Sequence, residues 1–302
     1  MKHFIKATEI WELNRDKTEL TLTKGIYENS ELEEKSQYYS FKYDEGLPGR
    51  AWAQKCPIVL NNLDSSFFKR GEITKKINIS AAIAMPIFAG EYLHSVIVFF
   101  CGDSEDHAGA IELWRGSVDR LNEIELVDGY YGTMEEFEWI SRRIKVMKTQ
   151  GLPGSVWSSK MPIIMKDLSK SATFMRASKA SKEGITTAIG IPAWVDEDDG
   201  YVMTFLSAKG TPIARRFEIW IPSNDGLVFS DGYSVGDVDL KELHTNTIYK
   251  KGDSMLGRVW EFGYPILNEK SDMQNAPGEY DGVLALPLLE KGFFKATIVF
   301  YY

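Results

Sequence analysis

The chain holds two cysteines, Cys56 and Cys101, and four histidines, His3, His94, His107 and His244. Two thiols fit no CxxC or zinc spacing and cannot build a disulfide framework, so a reducing cytoplasm is the expected compartment. The histidines fall at a terminus, a hairpin and loops, away from other ligand-type residues; no metal and no cofactor is expected. A long apolar run is also lacking. Nothing approaches the roughly 20 residues of a membrane span, and the opening MKHFIKATEIW has no apolar signal-peptide core. A basic excess is missing too: 35 Lys and Arg stand against 43 Asp and Glu, a net charge of −8. The densest basic stretch, KRGEITKK (69–76), reads as a solvated helix face, so neither nucleic acid nor membrane is an expected partner. No P-loop, HExxH or GxSxG motif occurs. The acidic runs DSEDH (103–107) and DEDD (196–199) read as solvated turns.

What the chain has is repetition. Its 302 residues are 44% hydrophobic and 13% aromatic, ample for two or three packed domains. GLPGRAWAQKCPIVLNNL (46–63) returns as GLPGSVWSSKMPIIMKDL (151–168), and a worn copy, SMLGRVWEFGYPILNE, stands at 254–269. Other landmarks recur in the same order. TEIW, IELW and FEIW end at Trp11, Trp114 and Trp220; a glycine and tyrosine follow at Gly25-Ile-Tyr27, Gly129-Tyr130 and Gly232-Tyr233. Trp52, Trp157 and Trp260 each precede a proline by five residues, Pro57, Pro162 and Pro265. Pro86, Pro192 and Pro287 come next, and each copy closes on an apolar run, SVIVFFC, YVMTFLS or ATIVFYY. Ordered landmarks at a fixed period are the signature of internal repeats. The units span 1–103, 104–210 and 211–302. Short joints and ends flush with the repeats suggest a self-contained three-unit chain.

The second copy illustrates one unit. AIELWRGSVDRLNEIELVDGYYG alternates like a hairpin, with GSVDR as its turn. Thr133 and Glu136 have capping-box spacing before a short helix, and RIKVM reads as a strand. The glycines of GLPG allow a sharp bend, SVWSSK a turn or two of helix with Trp157 inward, and Pro162 stops that helix. The three GLPG-region tryptophans read as core anchors. Phe174, Ala177, Ala180 and Ile185 line one side of a helix ended by Gly184. A second hairpin closes over DEDDG. Each unit is therefore expected to be α+β: a curved antiparallel sheet of five or six strands with short helices over one side.

The run GLPGxxW…PI…DL…FxR…GI…A…IP followed by an apolar strand resembles the GAF domain family. The likeness spans nearly all of copies one and two and part of copy three. It implies three tandem GAF/PAS-like modules whose concave faces can hold a small ligand, in a sensory or signal-transducing protein. GAF relatives also include enzymes that reduce free methionine sulfoxide with pocket cysteines; here Cys56 and Cys101 recur in no other copy, so a thiol redox enzyme is the weakest reading and no catalytic residue is expected. The long flanking helices of GAF domains have no room at the joints 102–110 and 208–216. The bare sheet faces should then be covered by neighbouring repeats or by an identical chain. The interval between prolines shrinks from 29 residues (57 to 86) and 30 (162 to 192) to 22 (265 to 287). NEKSDMQNAPGEYDG there replaces the FxR helix, so copy three is expected to lack a pocket roof.

Arg70 and Arg176 occupy matching positions two residues after Phe68 and Phe174. As ligand-binding residues, these four would frame a pocket in copies one and two, with each guanidinium pairing a ligand carboxylate or phosphate. As scaffold, each arginine would tie its helix to an acidic loop residue such as Asp64 or Asp167, and repeated residues more often serve shared scaffold. Two functions follow. One is a non-catalytic regulatory protein binding a small molecule; the other is an interaction protein with solid cores, serving a protein partner or self-association.

Overall fold

The computed structural model describes residues 4–102, 108–117, 122–194, 199–236, 238–269 and 280–302. Residues 118–120 of the turn GSVDR, the acidic run at 103–107 and most of that at 196–199, His3, His107 and most of the segment replacing the FxR helix lie outside them. Three GAF-like α+β modules run in series. Module 1 contains β1 (Ile5–Leu13), β2 (Glu19–Tyr27), α1 (Ser30–Ser36), β3 (Ser40–Lys42), α2 (Gly46–Gln54), β4 (Ile58–Leu60), α3 (Gly71–Lys76), β5 (Ile79–Ala89) and β6 (Tyr92–Gly102). Module 2 repeats the series as β7 (Gly109–Ser117), β8 (Glu123–Tyr130), α4 (Glu135–Ser141), β9 (Val146–Met147), α5 (Gly151–Ser159), β10 (Ile163–Met165), α6 (Ala177–Lys182), β11 (Ile185–Trp194) and β12 (Asp199–Ala208). Module 3 comprises β13 (Arg216–Pro222), β14 (Leu227–Ser234), α7 (Leu240–Leu243), β15 (Ile248–Tyr249), α8 (Ser254–Phe262), β16 (Ile266–Glu269), β17 (Gly282–Glu290) and β18 (Phe293–Tyr301). Among the described residues no helix stands between β16 and β17, where α3 and α6 lie in the other modules.

Each sheet has six strands in one order, β3-β2-β1-β6-β5-β4 in module 1 and its equivalents elsewhere. The second strand of each module carries a bulge at the same place: Thr23, Val127 and Ser230 are the extra residues opposite Ile10–Trp11, Leu113–Trp114 and Ile219–Trp220. A bulge sharpens local twist and re-aims the side chains that follow it. Trp11, Trp114 and Trp220, on the regular strand facing the bulge, are fully buried. They are the aromatic anchors; of the GLPG-region tryptophans only Trp157 is buried, and Trp52 and Trp260 are half-buried against Tyr43 and Phe294.

The repeated GLPG has a different geometry from the one its sequence suggests. The helix starts at the first glycine, not after the second. Gly46 and Gly151 adopt φ +60° and +59°, and Ser254 takes φ +61° at the same point of module 3. The second glycine serves contact: a Cβ on Gly49, Gly154 or Gly257 would stand 2.0–2.1 Å from the carbonyl oxygen of Lys42, Met147 or Lys250. Only hydrogen at that position lets the helix lie against the preceding strand end. Lys55, Lys160 and Gly263, left-handed, end these helices before the prolines are reached. Thr133 does not cap α4; Met134 is its N-cap, without a side-chain hydrogen bond.

The chain forms two compact units, Met1–Pro86 with Val96–Ile213, and Ile87–Ser95 with Ala214–Tyr302. Within the first, modules 1 and 2 pack together. Phe99 of β6 meets Phe205 of β12 edge to face at 5.7 Å. Phe4 meets Tyr130 at 5.5 Å, and Asn61 donates to Asp128 and to the Gly129 carbonyl. A neighbouring repeat thus covers sheet surface that a flanking helix would otherwise bury. In the second unit, the 87–95 hairpin tip lies against module 3: the His94 ring stacks on Tyr264 at 4.2 Å and its Nδ1 is 2.7 Å from the Gly263 carbonyl oxygen.

Candidate functional site

The first strand of every module carries a buried glutamate: Glu9, Glu112 or Glu218, each fully inaccessible. Residues i and i+2 of a strand share a face, so each glutamate lies beside the buried tryptophan two positions on. The indole Nε1 donates to the carboxylate in all three, at 2.8 Å from Trp11, 3.0 Å from Trp114 and 2.9 Å from Trp220. Opposite each glutamate the neighbouring strand carries a glycine, Gly25, Gly129 or Gly232. In the first two modules that glycine makes room for a tyrosine: a Cβ would meet the Tyr27 ring at 2.3 Å or the Tyr131 ring at 2.9 Å. Tyr27 and Tyr131 use the space to donate to Glu9 and Glu112 at 2.9 and 3.1 Å. The equivalent of Tyr27 is therefore Tyr131, not Tyr130.

A buried carboxylate needs a countercharge. Arg70 and Arg176, each the residue before its roof helix, supply it. Their acidic partners are Glu9 and Glu112, not Asp64 and Asp167. Arg70 Nη1 donates to Glu9 at 2.5 Å and to Ser36 at 2.8 Å. Arg176 Nη1 donates to Glu112 and Ser141, and its Nη2 donates to Glu112 Oε2 at 3.0 Å. Thr204 Oγ1 adds a further bond to Glu112 at 2.9 Å. Burial alone would push the Glu112 carboxyl up, but the charge and hydrogen bonds of Arg176, with Thr204 and Trp114, hold it below the usual range. Burial and then the neighbouring carboxylates push the Tyr27 and Tyr131 phenols up, so both stay protonated donors. Phe68 and Phe174 are buried beside these arginines' segments; Phe174 lies 5.1 Å from the Arg176 guanidinium, and Phe68 meets Phe100 at 6.4 Å.

The two arginines differ in one respect. Arg70 Nη2 is buried and has no hydrogen-bond partner among the described residues. Its guanidinium sits among aromatic faces, 4.6 Å from Phe100, 5.4 Å from Trp11 and 5.9 Å from both Tyr39 and Phe41. Arg50 Nε and Ser65 Oγ of the same module are also buried without partners among the described residues, and the Arg50 guanidinium lies 3.7 Å over Phe67.

Module 3 keeps the glutamate but changes its partners. Its countercharge comes from Arg216, two residues before Glu218 on the same strand face, where modules 1 and 2 have Ala7 and Ala110. His244, at the helix end where the others have Ser36 and Ser141, brings Nε2 to 2.9 Å from Glu218 Oε1. Tyr301 of β18 donates to Glu218 at 3.1 Å in place of the β2-type tyrosine. The expected loss of a roof helix falls on residues outside those described; the charge that the roof arginines carry in modules 1 and 2 comes in module 3 from the sheet.

Among the described residues no group of three or more His, Cys, Asp or Glu could hold a metal ion, and no helix is long and apolar enough to cross a membrane. Cys56 is half-buried and Cys101 buried, and the two are not joined in a disulfide.

No family model matches the chain, and no curated relative does. Solved structures similar to it include GAF domains. One is the GAF domain of nlh2 from A. aeolicus in an inactive state, 23% identical, covering 33% of this chain and 60% of its own, TM-score 0.28. A second is the GAF domain of a phosphoenolpyruvate-protein phosphotransferase from Coxiella burnetii, 18% identical, covering 33% and 61%, TM-score 0.28. A third is a free methionine-R-sulfoxide reductase from Neisseria meningitidis in complex with its substrate, 14% identical, covering 32% and 52%, TM-score 0.25. This chain therefore spans about half to three fifths of each of those proteins.

Proposed function

We propose that this chain is a non-catalytic, cytoplasmic regulatory protein that binds a small anionic ligand in module 1, with module 2 acting as closed scaffold. The observation that carries the reading is the buried, unpartnered Arg70 Nη2. Leaving a buried donor without an acceptor costs about 1–3 kcal/mol, more for a charged group. Module 2 avoids that cost with the same arginine on the same framework, because both Arg176 Nη atoms have acceptors. A ligand carboxylate or phosphate oxygen at Arg70 would remove it in module 1, and the surrounding aromatic faces suit a flat or apolar body attached to that anion.

The competing reading, an interaction scaffold with solid cores, is favoured for module 2 by a saturated network: Glu112 accepts from Trp114, Tyr131, Arg176 and Thr204 together. Thermal-shift and calorimetric titration with small carboxylates and phosphates separates the two. A ligand at 100 times its Kd adds about 2.7 kcal/mol of stability. The binder reading expects such a gain in wild type and in Arg176→Lys, and its loss in Arg70→Lys. No gain with any anion, or equal loss in both variants, returns module 1 to the scaffold reading. The thiol-enzyme alternative is tested by replacing Cys56 and Cys101 with serine, which should leave binding unchanged.

A further inference from the structure

We infer that module 3 carries a proton-operated switch at His244 that modules 1 and 2 lack. His244 Nε2 lies 2.6 Å from Arg216 Nη2 and 2.9 Å from Glu218 Oε1. One ring nitrogen cannot accept from the guanidinium and donate to the carboxylate at once. Without a proton Nε2 accepts from Arg216, and with one it donates to Glu218, so the atom stands between two partners it cannot serve together. A proton taken up at Nε2 converts that acceptor into a donor. Two cations then confront each other, the Nε2–H turns to Glu218, and the guanidinium has to leave.

The surroundings give the proton few other consequences. Arg216 and Glu218 of β13 face the ring directly. Tyr249 of β15 and Tyr301 of β18 belong to the same cluster, their phenols raised first by burial and then by Glu218, so both remain neutral. On the ring's own helix, Asp239 is occupied in capping the amides of Lys241 and Glu242, and Glu242 is exposed. Trp220 and Phe229 close over the ring at 4.8 and 5.0 Å. The imidazole is largely buried, so its change of charge is felt by packed groups and not dispersed into water. Ser36 and Ser141, at the same position after Leu32 and Phe137 that His244 holds after Leu240, have no charge to change. Histidine is the side chain whose charge ordinarily changes between about pH 5 and 8. Arg216 sits at the first residue of β13, so displacing it loosens the strand on which module 3 is built.

The test is hydrogen exchange of the intact chain at pH 8 and pH 5, corrected for intrinsic exchange rates, in wild type, His244→Ser and His244→Asn. Wild type should lose at least tenfold in protection over β13 and α7 at pH 5, while β1 and β7 do not; both variants should lack that loss. Equal protection of β13 at the two pH values, or the same loss in the variants, overturns the inference. A measurement on wild type covers variants that fold poorly. The nuclear resonance of the His244 ring should titrate together with that of the Arg216 guanidinium, and a ring that titrates beside an unmoving Arg216 signal overturns it equally.

Discussion

Replacing Arg176 with methionine keeps the length and apolar stem of the side chain and removes its charge. Glu112 then stays fully buried with Trp114, Tyr131 and Thr204 as donors but no cation. Removing one partner of a buried pair costs about 3–5 kcal/mol, a large share of an ordinary domain's stability. The pH dependence is more diagnostic than the size. In wild type Glu112 is held below its ordinary value, so its contribution is fully present above the usual carboxylate range and is lost only as pH falls through the depressed value. Between pH 5 and 8 it gives no slope. Without Arg176, burial, the largest influence on this group, acts with less opposition and pushes the carboxyl up. The contribution then reverses sign: it is present in acid and lost as pH rises from the ordinary carboxylate value to the raised one, by up to about 1.4 kcal/mol per pH unit. Hydrogen exchange of β7 and β12 at pH 5, 6, 7 and 8 reads this directly. Arg176→Met should be least damaged at pH 5 and progressively worse above it. The double variant Glu112→Leu/Arg176→Met should lose the slope while keeping a deficit of about 1 kcal/mol for each stranded donor. Parallel pH profiles for wild type and Arg176→Met would refute the claim that this arginine neutralises a buried carboxylate.

Other consequences follow from the same geometry. Ser254→Gly should stabilise module 3 by about 0.5–1 kcal/mol, since it relieves a left-handed residue at the cost of a more flexible unfolded chain; chemical denaturation measures it. Gly154→Ala puts a methyl 2.1 Å from the Met147 carbonyl oxygen, a backbone atom that cannot turn aside, and should cost about 1–3 kcal/mol in the same assay. Gly151→Ala, strained by φ +59° but with nothing nearer than 3.9 Å, should cost no more than about 1–2 kcal/mol.

Much of the fold was legible because the repeated landmarks are sites where backbone geometry leaves little choice. The tryptophan facing the bulge, the glycine opposite the buried carboxylate and the second glycine of GLPG each tolerate few residue types, and all three copies carry them. The site was harder to read. Glu9, Glu112 and Glu218 stand inside the very landmarks TEIW, IELW and FEIW, but a glutamate in an alternating strand reads as solvent-facing. The available signal was spacing. A tryptophan taken as inward carries the residue two before it inward as well, and a glutamate there demands a cation elsewhere in the module. That reasoning leads to Arg70 and Arg176 as its partners. It could not have found Arg216 or His244, because module 3 draws them from a strand start and a helix end, at positions where its siblings have alanine and serine.

The three modules answer one electrostatic demand in three ways, and the differences bear on function more than the likeness does. A carboxylate shared by all three cannot by itself make one module a receptor. What differs is how completely each cation is used. In module 2 the arginine comes from the roof and both Nη atoms are engaged, so shifting the roof would break the pair at several kcal/mol; the module is closed. In module 3 the cation lies on the sheet, independent of any roof, and shares its glutamate with a histidine whose charge can change. In module 1 the roof arginine binds Glu9 through Nη1 and leaves Nη2 buried among aromatic rings, so roof, sheet and an added anion can all meet at one side chain. An anion bound there would pull on the segment leading into α3 without first having to break the Glu9 pair, and Lys76 of that helix is already linked to Glu31 of α1. On the proposed reading, Arg70 can take an anion with its Glu9 pair intact, which Arg176, with both Nη atoms engaged, cannot do in module 2.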